Sequence, residues 1–223
     1  MPLWPVAPTL YHPSTVLVAG PTGCGKTEFL VQLLQLRAIS PFPQRIEWIY
    51  GEWQNAYDRI LNLDLRGTQV KFRKSFDDEL YESLNPNTRN LVVLDDQMGS
   101  ESVRQRGGSG LTKYFTQGSH HRNLTVVYVV QNLFHQAKGM RDVALNAHYL
   151  ILFRNPRDKG QVRTLAQQMY PKSTNFLVDA YEDAISKPYG YLLLDMRPET
   201  SENMRVRTKV LVPIEHTVYV PSI

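Results

Sequence analysis

Residues Val16 to Leu30 read VLVAGPTGCGKTEFL. Within them Gly20, four intervening residues and then Gly25-Lys26-Thr27 match the spacing G-x-x-x-x-G-K-[ST] of a phosphate-binding loop. The chemistry this spacing offers is the holding of a triphosphate. In the loop Gly20-Pro21-Thr22-Gly23-Cys24-Gly25 the backbone N–H groups, which every residue but Pro21 carries, can turn inward around phosphate oxygens. The helix that follows adds its positive N-terminus. Lys26 is placed to reach the β- and γ-phosphates, and the Thr27 hydroxyl to ligate Mg²⁺. Kinases, GTPases, transporters, helicases and motors all use such a loop, so what the triphosphate is used for must be read from other residues.

Three further stretches carry such residues. LVVLDDQMGS (91–100) delivers Asp95 at the end of an apolar run, where a carboxylate can hold the Mg²⁺ shell. Asp96 follows directly and can orient and deprotonate a water, or else cap the next helix. TVVYVVQNLFHQ (125–136) ends its apolar run at Gln131, whose amide can both donate to a phosphate oxygen and accept from a water. That role requires this strand to lie between the two carrying the phosphate loop and Asp95; otherwise Gln131 is an ordinary polar strand end. YLILFRNPRD (149–158) ends at Arg154, with Arg157 three residues on. Either guanidinium could stabilise a transferring phosphoryl group across a subunit boundary, or form a surface ion pair.

These residues need a sheet whose strands end at one edge. Thr15–Ala19, Arg45–Tyr50, Leu91–Asp95, Leu124–Val130 and Tyr149–Phe153 are predicted strands, with Lys71–Arg73 a shorter one. Helical patterns fall over Lys26–Arg37, Ser75–Leu84, Gly110–Gly118, Met140–Asn146, Lys159–Tyr170 and Ser173–Ile185. Alternation of the two predicts an α/β fold with a mostly parallel sheet flanked by helices. Tyr189–Asp195 and Val206–Pro213, separated by RPETSENM, predict a C-terminal strand hairpin added to it. Residues 1–13 contain four prolines and read as an irregular lead-in. Residues 14–223 then form a single P-loop domain, with a core over 14–171 and a helix-and-hairpin extension over 172–223.

The 223 residues are 42% hydrophobic and 21% charged, enough apolar surface for one globular core. A formal charge of +4 is compatible with a polyanionic partner without requiring one. Cys24 is the single cysteine, which excludes an internal disulfide and a CxxC zinc site. The apolar runs fall far short of the roughly 20 residues that span a bilayer. The start, MPLWPVAPTLYHPS, lacks the basic and apolar regions of a secretory signal, so an intracellular location is expected.

The order of these motifs resembles the FtsK–HerA superfamily of DNA-pumping ATPases: a strand with the phosphate loop, a strand ending in two acids, one ending in Gln and one ending in Arg. Within it, LTVVYVVQNLFHQAKGMRDVALNAHYLILFRNPRDKGQVRTLAQQMYP (124–171) closely resembles the poxvirus-type genome-packaging ATPases of large DNA viruses and of Polinton–adintovirus-like elements. The resemblance spans about residues 14–171 and is most specific from Leu91 to Pro171. It implies a RecA-like P-loop NTPase of the ASCE division that hydrolyses ATP with Mg²⁺. It further implies a ring, a hexamer or pentamer, that threads double-stranded DNA into a preformed capsid at a portal vertex. The site of action would be the nucleus or a cytoplasmic virus assembly site, or the virion itself. Carried over, Lys26 and Thr27 serve phosphate and Mg²⁺, Asp95 the metal, Asp96 the water, Gln131 the sensor role and Arg154 the trans-acting arginine, with Arg157 as its alternative. The second acid is Asp where cellular relatives commonly carry Glu. A helicase and an ATP-dependent capsid-assembly factor are the alternative functions; a nucleoside kinase leaves Asp96, Gln131 and Arg154 unexplained.

Between Gln97 and Asn123 the chain is basic, and Gly107-Gly108-Ser109-Gly110 gives it conformational freedom. Contacts that track a phosphate backbone need positive charge on adaptable loops. Arg104 and Arg106, on the loop that leaves Asp96 directly, are the candidates to line a DNA pore; a merely solvated basic loop is the competing reading. His120-His121 lack a third ligand at usable spacing for a metal. The expected outcome for Arg104→Ala with Arg106→Ala is loss of DNA-stimulated ATPase at moderate salt. Survival of that stimulation would remove the pore assignment.

Overall fold

A computed structural model of the chain describes residues 10–74, 77–95, 113–115, 121–133, 140–157, 160–212 and 215–221, with the side chains of 140–142 left aside. In chain order the elements are β1 (Leu10–Tyr11), β2 (Thr15–Ala19), α1 (Lys26–Gln35), β3 (Ile39–Ser40), β4 (Arg45–Tyr50), α2 (Asn55–Leu61), β5 (Gln69–Arg73), α3 (Asp78–Ser83) and β6 (Asn90–Asp95). They continue with β7 (Leu124–Val130), α4 (Met140–Leu145), β8 (Tyr149–Phe153), α5 (Gly160–Met169), α6 (Thr174–Ala184), β9 (Tyr191–Asp195), β10 (Val206–Thr208) and β11 (Thr217–Tyr219).

One sheet runs in the order β11-β10-β9-β8-β2-β7-β6-β4-β5. The strands from β8 to β5 are mutually parallel, and β9, β10 and β11 continue the sheet antiparallel. β2, β6, β7 and β8 are buried at every residue, which is why they read as unbroken apolar runs. Alternate residues serve opposite layers. Val16, Val18, Val127, Val129, Leu91 and Val93 pack with Leu30 and Leu34 of α1 and Tyr57 and Ile60 of α2. Leu17, Leu94, Val126, Tyr128 and Leu150 pack with Leu165 of α5 and Leu177 and Tyr181 of α6 on the other face. The expected α/β arrangement with a C-terminal hairpin is the one observed.

Several boundaries differ from the sequence expectation. α1 ends at Gln35, because Arg37 turns into the left-handed region at φ 50° and donates its N–H to Leu34. The expected Val206–Pro213 strand stops at Thr208, where Lys209 adopts φ 52° and a turn closes from Val212 N–H to Lys209 C=O. β11 then returns along β10. α3 begins at Asp78, capped by the Asp77 carboxylate, which accepts from Leu80 N–H at 2.8 Å. α2 was not foreshadowed by periodicity: NAYDRIL is seven residues long and buries only Tyr57 and Ile60. The expected lead-in over 1–13 holds strand β1, which pairs in parallel with β3. Most of the helical pattern at Gly110–Gly118 lies outside the described residues.

At the sheet edge opposite the phosphate loop, His12 is buried against β7. Its Nε2 meets the side-chain amide oxygen Oδ1 of Asn123 at 2.9 Å, which assigns the proton to Nε2. Nδ1 is left to accept from the Thr125 hydroxyl at 2.8 Å, and that hydroxyl accepts from Ser14 N–H. Burial holds the imidazole below its ordinary value of 6.5; the Asn123 bond opposes this and the Arg89 charge adds to it. The unfolded chain therefore binds the proton more readily than the folded one, so this contribution to stability is complete above pH 6.5 and is lost as pH falls through the folded value. The thermal midpoint is expected to drop between about pH 7.5 and about pH 5.5. His12→Gln should flatten that drop, separating it from His216, whose value burial also lowers. An equal drop in both proteins would remove His12 as its source.

Candidate active site

The phosphate loop leaves β2 at Gly20 and enters α1 at Lys26, with Gly25 as the residue before the helix. Gly25 adopts φ 105°, a conformation open to glycine and closed to most side chains, so the tight entry into the helix depends on it. Gly20 is required for a different reason. A Cβ there would lie 2.7 Å from both Cys24 Sγ and Phe153 Cβ, so only a bare backbone fits between the loop and β8. Lys26 Nζ donates to Gly20 C=O at 2.6 Å and Pro21 C=O at 2.8 Å, holding its charge across the loop. Burial pushes the Cys24 thiol up, which suits a packing role beneath the loop and not a thiolate.

Beside the loop a cleft of about 280 Å³ is lined by residues including Thr22, Lys26, Thr27, Gln54, Asp95 and Gln131. The Thr27 hydroxyl lies 3.2 Å from Asp95 Oδ2 and 3.3 Å from Gln54 Oε1. Asp95 ends β6 and is 3% exposed. The Tyr57 hydroxyl donates to the same Oδ2 at 3.0 Å. A hydroxyl and a carboxylate converging at this distance are the hard oxygen donors that Mg²⁺ takes, so these residues fit that ion.

β7 lies between β2 and β6, as the role of Gln131 required. Gln131 is exposed, lines the cleft, and borders a smaller cavity on its other side with Asn155, Gln161 and Tyr181. The segments following β7 and β8 are tied together there. Tyr181 OH donates to Phe153 C=O at 2.9 Å and accepts from Asn155 N–H at 3.2 Å. Asn155 Nδ2 donates to Asn132 Oδ1 at 3.3 Å, and Leu133 N–H to Gln161 Oε1 at 2.9 Å.

Gly20 to Thr27, Asp95 and Gln131 are thus gathered at one sheet edge. Arg154 and Arg157 stand exposed just beyond β8, outside the lining of the cleft. Asp96, Arg104 and Arg106 lie outside the described residues. Gln54 and Tyr57 are at the site without having been foreseen. They belong to the polar stretch WQNAYDRIL between β4 and β5, which has neither a strand's alternation nor a helix's stripe. Tyr57 is fixed by rings: Trp48, Tyr50, Trp53 and Phe72 all pack within 6 Å of its centroid.

No family model and no curated protein matches the chain. Solved structures do. The genome packaging NTPase B204 from Sulfolobus turreted icosahedral virus 2, in complex with ATP-gammaS, is 14% identical with a TM-score of 0.53 over 94% of this chain and 98% of that one. Its complex with AMP gives a TM-score of 0.55 over the same shares, again at 14% identity. EssC (ATPases 2 and 3) from Geobacillus thermodenitrificans is 12% identical, with a TM-score of 0.52 over 94% of this chain and 40% of that chain. At these identities the likeness shows the fold, an α/β P-loop arrangement.

Tyr57→Phe keeps the ring and removes the hydroxyl that donates to the carboxylate. It is expected to leave the circular dichroism spectrum unchanged. The Mg²⁺ concentration for half-maximal nucleotide binding should rise about 10-fold, the lower end for groups that orient a metal ligand. An unchanged Mg²⁺ midpoint would show that Tyr57 serves packing alone.

Proposed function

We propose that the chain hydrolyses ATP in the cleft between the phosphate loop and Asp95. We further propose that it couples this hydrolysis, in a ring of identical subunits, to moving double-stranded DNA into a viral capsid. The observation that carries the hydrolytic part is the contact of Thr27, at the start of α1, with Asp95, at the end of β6, while Gln131 directly follows β7, the strand between β2 and β6. A triphosphate held on the loop then has its terminal phosphate facing a carboxylate and an amide. The work on DNA is supported by the fold shared with a protein described as a genome packaging NTPase, and by the motif order from Asp95 to Arg154.

In this reading Lys26 leaves the loop carbonyls to meet the β- and γ-oxygens, and Thr27 and Asp95 hold Mg²⁺. The ion, when bound, neutralises charge on those oxygens. Asp96 accepts a proton from water as its oxygen attacks the γ-phosphorus. The bond from that phosphorus to the β–γ bridging oxygen breaks, and ADP departs with the electron pair. Gln131 orients the water and reads the γ-phosphate. Arg154, with Arg157 as the alternative, meets the transferring group of a neighbouring subunit, which suits two guanidinium groups exposed at the same sheet edge. The DNA passes through the ring toward the capsid or its portal vertex, at a virus assembly site in the infected cell.

The test is phosphate release with and without duplex DNA. Wild-type turnover is expected to rise with duplex and much less with single strands. Lys26→Ala should remove turnover together with nucleotide binding. Asp96→Asn should keep ATP bound while hydrolysis falls about 10²- to 10⁴-fold. Turnover indifferent to duplex DNA would overturn the DNA-moving part, and normal turnover in Asp96→Asn would remove Asp96 as the base.

A further inference from the structure

The turn between α6 and β9 carries a residue that packing does not explain. Tyr189 is 71% exposed and holds φ 61°, the left-handed region that a bulky side chain avoids. The turn is fixed from below. Gly190 donates its N–H to Lys187 C=O at 3.1 Å, and a Cβ at Gly190 would lie 2.3 Å from Ala184 C=O, so the chain is folded tightly onto the end of α6. This places the Tyr189 side chain against the phosphate loop. A Cβ on Gly25 would lie 3.2 Å from Tyr189 Cδ1 and 3.4 Å from its Cβ. Tyr191, two residues on, turns inward and packs edge-on against Phe29 at 4.9 Å, so the two tyrosines divide into a half-buried support and an exposed ring. Among the described residues no other ring stacks on Tyr189.

The position matters because of sheet order. Asp95 ends β6 and Gln131 directly follows β7, on one side of β2 and its loop. β9 begins opposite the end of β8, since Tyr191 pairs with Phe153, so Tyr189 stands at the same edge on the other side of the loop. A nucleotide laid over the loop with its terminal phosphate toward Asp95 has its other end directed to Tyr189.

We propose that Tyr189 is the stacking platform for the base of the bound nucleoside triphosphate. This rests on the nucleotide-site reading above and extends it to the base. An aromatic face takes any base, because every base presents a π-surface, so the platform adds affinity with little discrimination between purines. The left-handed turn then serves to hold the ring at the surface beside Gly25, instead of letting it fold into the core as Tyr191 does.

The experiment compares ATPγS, GTPγS and inorganic tripolyphosphate by calorimetric titration of the full chain with Mg²⁺. The proteins are wild type, Tyr189→Phe and Tyr189→Gly. Glycine accepts φ 61° without strain, so its effect reports the lost ring. Tyr189→Gly is expected to weaken ATPγS and GTPγS about 5- to 30-fold, within the range for one base stacked on an aromatic ring. Tyr189→Phe should bind as wild type, and tripolyphosphate affinity should be the same in all three. ATPγS binding unchanged in Tyr189→Gly would overturn the proposal. So would an equal loss for tripolyphosphate, since the ring would then be shaping the loop and not meeting a base. A wild-type chain that binds none of the three would overturn the nucleotide site itself, and the platform with it.

Discussion

A parallel strand with helices on both sides can present polar chemistry only at its ends. That constraint governs this protein. β2, β6, β7 and β8 are buried along their whole length, so their functional groups have one place to go, the edge where they terminate together. Parallel pairing makes those ends coincide. Val18 pairs with Val129 and Ile151, and Leu94 with Tyr128, so Gly20, Asp95, Gln131 and Arg154 all emerge within a residue or two of the same level. The register of the sheet, more than any direct contact, assembles the site.

The same constraint explains what could be read from sequence. Strands buried on both faces show as continuous apolar runs, and a polar residue ending such a run is conspicuous; Asp95, Gln131 and Arg154 were legible in that way. The loop was legible because its glycines are fixed by backbone geometry, as the φ of Gly25 and the close approach at Gly20 bear out. Gln54 and Tyr57 were not legible. α2 is too short to show a period, and Tyr57 gains its role from a carboxylate 38 positions away that only the pairing of β4 with β6 brings near. β11 was equally hidden, since its three residues earn no burial pattern of their own and add to an edge already formed by β10.

Asp95 also shows how a buried carboxylate is held at a sheet edge. It is almost fully enclosed and accepts from Thr27 and from Tyr57, so hydrogen bonds offset part of its desolvation. The ring cluster around Tyr57 gives that hydroxyl little freedom, and α2 is tied to α1 by the Arg59–Glu28 ion pair at 2.5 Å. The two hydroxyls that reach Asp95, Thr27 on α1 and Tyr57 on α2, therefore belong to helices packed on the same face. That pair is about half exposed on each side, so its part is orientation more than stability. A shift of α2 would move Gln54 and Tyr57 together, and with them the contacts to the Thr27 hydroxyl and the Asp95 carboxylate.

The two sides of the loop are built differently, and the difference follows from strand direction. On the β7 and β6 side, parallel strands arrive at the edge and deliver side chains from their last residues. On the β8 and β9 side the sheet turns antiparallel, so β9 starts at the edge where β8 stops. What it brings there is the turn that precedes it, with Lys187, Tyr189 and Gly190. Strand ends deliver single groups to fixed depths, which suits a carboxylate and an amide meeting a small phosphate. A turn delivers a broad exposed surface, which suits a flat ring meeting a larger one. The C-terminal extension is thus more than an addition to the sheet: by reversing strand direction beside β8, it completes the far side of the loop.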